Sequence, residues 1–133
     1  MIRERKFRAW HKEQKIYYLV RLIDFEEGFI TTYKNEKNGV YGLFEFNEVI
    51  LEEYVGVKDK YGVDVYEGDV MLTESEDYIK KWVVEFNYGE FILFNGLNSF
   101  LRFSDVKLTI EDNCYVEDMV IVGNINENKE LLK

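Results

Sequence analysis

Asp59, Asp64, Glu67 and Asp69 crowd one short stretch of the chain. Clustered carboxylate oxygens are the ligand type of Mg²⁺ and Ca²⁺, and an ion so held would support hydrolysis of a phosphate ester. The same spacing has a plainer explanation. Lys58-Asp59-Lys60-Tyr61-Gly62 is polar and ends in glycine, and an aspartate there accepts backbone N–H groups of a tight turn. Asp64 alternates outward in Val63-Asp64-Val65-Tyr66. In Glu67-Gly68-Asp69, the glycine supplies a positive φ and Asp69 holds the turn closed. Turn chemistry accounts for these acids without a ligand, so no metal or other cofactor is expected. No Asp-x-Asp-x-Asp-Gly calcium loop is present.

The other reactive residues are sparse. His11 is the only histidine and Cys114 the only cysteine. Nucleophilic catalysis through an imidazole would have to use His11, which follows Trp10 at a strand end, with Cys114 far away in sequence. A two-histidine metal site within one chain is impossible, as is an intrachain disulfide. A metal-dependent nuclease needs acids beside a lysine. Glu-x-Lys occurs at Glu4/Lys6, Glu13/Lys15 and Glu127/Lys129, and three matches in so charged a chain carry no specificity. No glycine-rich phosphate-binding motif is present. The chain is therefore read as a non-enzymatic protein.

The 133 residues make one domain, or two small β subdomains with a boundary near residues 73–81, where Thr73–Lys81 reads as a polar, acidic connection. Hydrophobic residues are 47% and aromatic residues 17%, too many for a disordered chain. A chain of this length buries roughly two-thirds of its unfolded surface. A single cysteine, and no apolar run of signal or membrane-spanning type, predict a soluble, cytoplasmic location without membrane association.

Net charge is −9 but uneven. Residues 1–21 hold seven Lys or Arg against two Glu, a net of +5, while the rest hold ten bases against 24 acids, a net of −14. Most of the surface should repel nucleic acid. Arg3, Arg5, Lys6 and Arg8 are the candidate interaction residues. The simpler assignment for Lys6–Trp10 is an alternating strand with Phe7 and Ala9 inward and Lys6 and Arg8 in water.

The pattern is mostly β. Short strands are expected over Lys6–Trp10, Lys15–Phe25, Phe29–Tyr33, Val40–Phe46, Val63–Tyr66 and Val70–Leu72, and over Val49–Val55 in preference to a short helix capped by Asn47 through Val49, Ile50 and Tyr54. Further strands are expected over Trp82–Phe86, Phe91–Phe94, Leu97–Phe103, Val106–Ile110 and Met119–Ile125, with Asn87-Tyr88-Gly89-Glu90 as a hairpin turn. Asn128 is a candidate N-cap for one helical turn over Glu127–Leu132. Proline is absent, so Gly, Asn and Asp must make the turns. The regular turn signals suggest small barrels or a sandwich. Tyr17, Tyr18, Tyr54, Tyr61, Tyr66, Tyr78 and Tyr88 lie near strand ends or turns, where tyrosine offers contact area at low entropic cost.

Three blocks carry a resemblance: Lys6-Phe7-Arg8-Ala9-Trp10, the run Tyr54–Val70, and Val122–Leu132. Through them the chain resembles the YopX family of phage and prophage proteins, for which no activity is established. The matched positions include Phe7, Ala9, Trp10, Gly56, Asp59, Gly62, Tyr66, Glu67, Gly68, Asp69, Gly123, Asn124 and Asn128. They look like fold determinants, so the resemblance transfers no catalytic residue. It departs at Val55, where the family commonly has Thr, and at Lys129, where it has Pro. It implies phage or prophage origin, self-association, and a β-rich α+β fold of short antiparallel strands with an SH3-like small barrel portion. The expected role is binding a host or phage protein. The alternatives are an acidic mimic of DNA phosphates, a direct nucleic-acid binder and a metal-dependent enzyme.

Overall fold

Alternating apolar residues between Gly, Asn and Asp turns produce a β-rich chain. The computed structural model describes residues 4–75, 78–96, 99–109 and 114–132, which contain thirteen strands and three 3-10 turns. The chain forms two compact units, Met1–Glu53 and Tyr54–Lys133.

The first unit holds β1 (Phe7–His11), β2 (Ile16–Asp24), β3 (Phe29–Thr32), β4 (Leu43–Glu45) and the beginning of β5 (Val49–Lys58). Their antiparallel order is β5-β1-β2-β3-β4. Ala9, Ile30 and Val49 are buried, with Val20, Ile23, Phe44 and Leu51 packed around them. These residues share one face because side chains alternate along each strand. Burial of an aliphatic side chain such as Ile30 contributes about 1.5–3 kcal/mol. Asp24 closes the β2–β3 turn, its Oδ1 accepting the N–H groups of Glu26 and Glu27 at 3.0 and 2.9 Å.

The second unit contains the end of β5, β6 (Asp64–Tyr66), β7 (Asp69–Ser75), β8 (Tyr78–Asn87), β9 (Glu90–Phe94), β10 (Phe100–Arg102), β11 (Leu108–Thr109), β12 (Tyr115–Val116) and β13 (Met119–Asn124). One antiparallel sheet runs β10-β9-β8-β7-β13. The end of β5 pairs antiparallel with β6 and parallel with β12 at Lys58 and Tyr115. Val57, Val65, Met71, Trp82, Val84, Leu93, Val116 and Met119 form the core. The Trp82 indole N–H, buried with its ring, donates to Thr73 Oγ1 at 2.8 Å. This avoids the cost of an unsatisfied buried donor.

Several expectations change. Thr73–Lys81 is not a connection between subdomains. β7 and β8 pair antiparallel from Val70↔Val83 to Ser75↔Tyr78, because cross-strand pairing outweighs the polar composition. The compact units divide at Glu53/Tyr54 instead. Of the strand expected over Leu97–Phe103, Phe100–Arg102 forms β10, Phe103–Asp105 closes a 3-10 turn, and Leu97 and Asn98 lie outside the described residues. Ile110 and the Glu111-Asp112-Asn113 turn lie outside the described residues. Val49 does begin a strand, after a 3-10 turn at Phe46–Glu48. The strand orders are open paths among the described residues, so the β-rich class stands while a closed barrel is not shown.

Candidate functional site

Two of the four acids that first suggested metal chemistry, Asp59 and Asp69, are spent on the backbone. Asp59 is 1% exposed. Its Oδ1 accepts the N–H groups of Tyr61 and Val63 at 2.9 and 3.0 Å, and its Oδ2 accepts that of Ile121 at 3.1 Å. One carboxylate thus closes the Lys58–Val63 turn and ties it to β13. Asp69, also buried, accepts the Tyr66 N–H at 2.8 Å across a turn in which Gly68 has φ +90°. That value lies in the region where a Cβ is strained. Asp64 is ion-paired with Lys58 on the neighbouring strand. Glu67 is half-buried in the turn before Asp69. Among the described residues, no group of three or more His, Cys, Asp or Glu side chains is arranged to hold a metal ion.

His11 is a buried packing residue in the first unit. Its ring meets Phe44 edge-on at 4.7 Å, and its Nδ1 accepts the Gln14 N–H at 3.0 Å. Cys114 is half-buried against the core of the second unit.

The basic strand is only partly available. Ala9 points inward as expected, and Phe7 is half-buried. Arg8 does not face water. Its Nε donates to Glu52 Oε1 at 2.9 Å, with side-chain exposures of 15% and 3%. Tyr17 O–H donates to the same oxygen at 2.9 Å, and the Arg8 guanidinium lies 4.4 Å from the Tyr17 ring centre. Strand register places Arg8 directly opposite Glu52, so the alternation holds but the face expected to meet water is covered by a cross-strand ion pair. The face with Arg8 also carries Trp10, 7% exposed, at 4.9 Å from the Tyr17 ring. Lys6 pairs with Glu4 at 3.3 Å, Arg5 is exposed, and Arg3 lies outside the described residues.

The C-terminal block is a second knot of side chain and backbone. Asn124 Oδ1 accepts the N–H groups of Asn126 and Glu127 at 3.0 and 2.8 Å. Asn128 precedes the 3-10 turn Lys129–Leu132, and its Oδ1 accepts the Asn124 N–H at 3.2 Å. A Cβ at Gly123 would stand 2.5 Å from that Oδ1 and 2.7 Å from Leu131 Cδ1, so glycine lets the turn lie against β13. Gly56 and Gly62 have φ of +95° and +84°.

A family model described as YopX protein matches residues 6–133. This chain belongs to the YopX family. Solved structures agree with that assignment at the level of fold. The YopX chain is similar to protein EF1440 from Enterococcus faecalis, with TM-score 0.67, 23% identity, and 98% of this chain and 99% of that one covered. It is also similar to protein yopX from Bacillus subtilis, with TM-score 0.59, 15% identity, and 96% and 95% covered. No curated protein matches the chain.

The tyrosines divide sharply in this YopX chain. Tyr18, Tyr54 and Tyr66 are buried, and Tyr54 and Tyr66 pair across β5 and β6 with ring centres 5.8 Å apart. Tyr17 is committed to Glu52, and the Tyr78 side chain lies outside the described set. Tyr61 and Tyr88 are 68% and 82% exposed. Tyr88 and Gly89 are the two central residues of the β8–β9 hairpin, with φ of +53° and +81°. Phe100 on β10 lies 6.4 Å from the Tyr88 ring, and Phe86 packs on Phe91 at 5.1 Å. Sequence reasoning found this turn but not its strained tyrosine. The signal was a large aromatic ahead of glycine where Asn-Gly is the preferred pair.

Proposed function

We propose that this YopX protein is a non-enzymatic, self-associating interaction module encoded by a phage or prophage, acting on a host or phage protein. Tyr88 carries the reading. A two-residue hairpin turn with positive φ at both positions favours Asn-Gly, Asp-Gly or Gly-Gly. Tyrosine in the left-handed conformation costs on the order of 1–2 kcal/mol. At 82% exposure, its ring recovers little of that cost by burial within the chain. Exposed Phe86 and Phe100, at 54% and 49%, belong to the same hairpin and its neighbouring strand. Strain held at an exposed aromatic tip suits contact with another protein, because buried tyrosine is a frequent source of interface energy.

The test is a pull-down with the tagged full chain from bacterial lysate, with and without nuclease. Mass spectrometry reads the captured proteins. A stoichiometric protein that survives nuclease and is lost with Tyr88→Asn supports the reading. A monomer that captures nothing, or capture abolished by nuclease, overturns it.

A further inference from the structure

We propose that a groove beside β2 in the first unit docks an extended acidic peptide segment of a partner protein. This goes beyond the aromatic tip, since it is a separate surface with a different chemistry. β2 runs to Asp24, but its pairing with β1 stops at Arg8↔Leu19. Beyond Leu19, β2 pairs with β3, and its other edge has no strand partner among the described residues. Residues 4–6 do not continue β1 as a strand. Arg5, Lys6 and Phe7 line a groove of about 490 Å³ together with residues 19–23 of β2 and Tyr33. Such an edge offers backbone donors and acceptors to an incoming strand, with pockets for alternate side chains.

The lining states the chemistry of the occupant. Leu19, Leu22 and Tyr33 supply apolar surface at 48%, 45% and 49% exposure. Arg5, Lys6 and Arg21 supply cations, with Glu4 as the carboxylate paired to Lys6. The β2–β3 register shifts between Val20 and Leu22, so Arg21 is the extra residue of a bulge, a device that re-aims a side chain. The three cations come from residues 1–21, which carry a net +5 in a chain of net −9. Opposite charge steers and orients an encounter, which selects Asp or Glu in the arriving segment. Alternation along an extended chain selects apolar residues between them.

The experiment screens the full chain against a synthetic random peptide library and measures the enriched peptides by fluorescence anisotropy. Enriched sequences are expected to alternate Asp or Glu with apolar residues. Affinity is expected to fall roughly tenfold or more in the Arg5→Glu/Arg21→Glu double variant, because attraction becomes repulsion. N-methylation of alternate peptide residues should also weaken binding by removing edge hydrogen bonds. Tyr88→Asn should leave peptide binding unchanged, so this site and the aromatic tip fail or stand separately. Both arginines are exposed, and a thermal melt confirms that the double variant folds. The proposal is overturned if no peptide is enriched, if enriched peptides lack acids, or if charge reversal or N-methylation changes nothing. Tighter binding of a single-stranded oligonucleotide overturns it in favour of nucleic acid. A change of oligomeric state on charge reversal, seen by sedimentation, overturns it in favour of a second copy.

Discussion

Arg8 and Glu52 face one another across β1 and β5, with Nε 2.9 Å from Oε1 and little solvent on either side chain. Removing one partner leaves the other charged and largely buried. Glu52→Ala should therefore lower stability by about 3–5 kcal/mol. The double replacement Arg8→Leu/Glu52→Leu should recover most of that loss, because two apolar residues leave no unpaired charge. Urea unfolding of the wild type and the two variants measures both effects. A loss below about 1 kcal/mol for Glu52→Ala would place the pair with solvent-screened ion pairs.

Asp59 bonds three backbone N–H groups from a site 1% exposed. Asp59→Ala orphans all three and should cost about 2–4 kcal/mol. Asp59→Asn keeps one acceptor oxygen but turns an amide toward either the turn or Ile121, with a smaller loss. Both are read by chemical denaturation. Since both carboxylate oxygens already accept hydrogen bonds, Mg²⁺ or Ca²⁺ should leave the wild-type melting temperature unchanged. A metal-dependent rise abolished by Asp59→Asn would restore the metal-site reading.

Glu117 gives the protein one specific acid response. The Thr109 hydroxyl donates to its Oε1, and Lys107 Nζ lies 3.3 Å from Oε2. The Thr109 hydrogen bond first, then Lys107, hold the carboxyl below its ordinary value of 4.5, against an opposing desolvation effect. A folded-state pKa lowered in this way adds stability above the unfolded value. That contribution is lost as pH falls through the folded value. Thr109→Val should move the Glu117 titration upward toward 4.5 in side-chain NMR. An unmoved midpoint would assign the shift to Lys107.

Tyr88→Asn should raise stability by about 1 kcal/mol, because asparagine tolerates the left-handed turn position better. The same change should weaken capture of a protein partner. Thermal melting and the pull-down together separate a strained contact residue from an ordinary turn residue. Lower stability with unchanged capture would show that the ring serves its own fold through Phe100.

Much of the turn chemistry is legible locally. Asp59 before Gly62, and Gly68 before Asp69, declare their roles because a turn is decided by residues a few positions apart. The hairpin at Tyr88-Gly89 and the strand beginning at Val49 are readable for the same reason. Thr73–Lys81 misleads because its composition is polar, whereas cross-strand pairing with a partner decides strand identity there. Arg8 misleads similarly. Alternation assigns it to solvent, and only the Arg8↔Glu52 register reveals the acid waiting opposite.

The sequence by itself determined the β-rich class, the family blocks and the residues that close the turns, since these follow from short-range periodicity and backbone geometry. The tertiary structure alone decided which acids bind backbone from afar, as Asp59 does for Ile121. It alone exposed Tyr88 in strain and left the end of β2 beside Arg21 with one edge unpaired among the described residues. The Asp59–Ile121 bond and the unpaired stretch of β2 depend on residues far apart in the chain meeting in one register, a relation that no local pattern encodes.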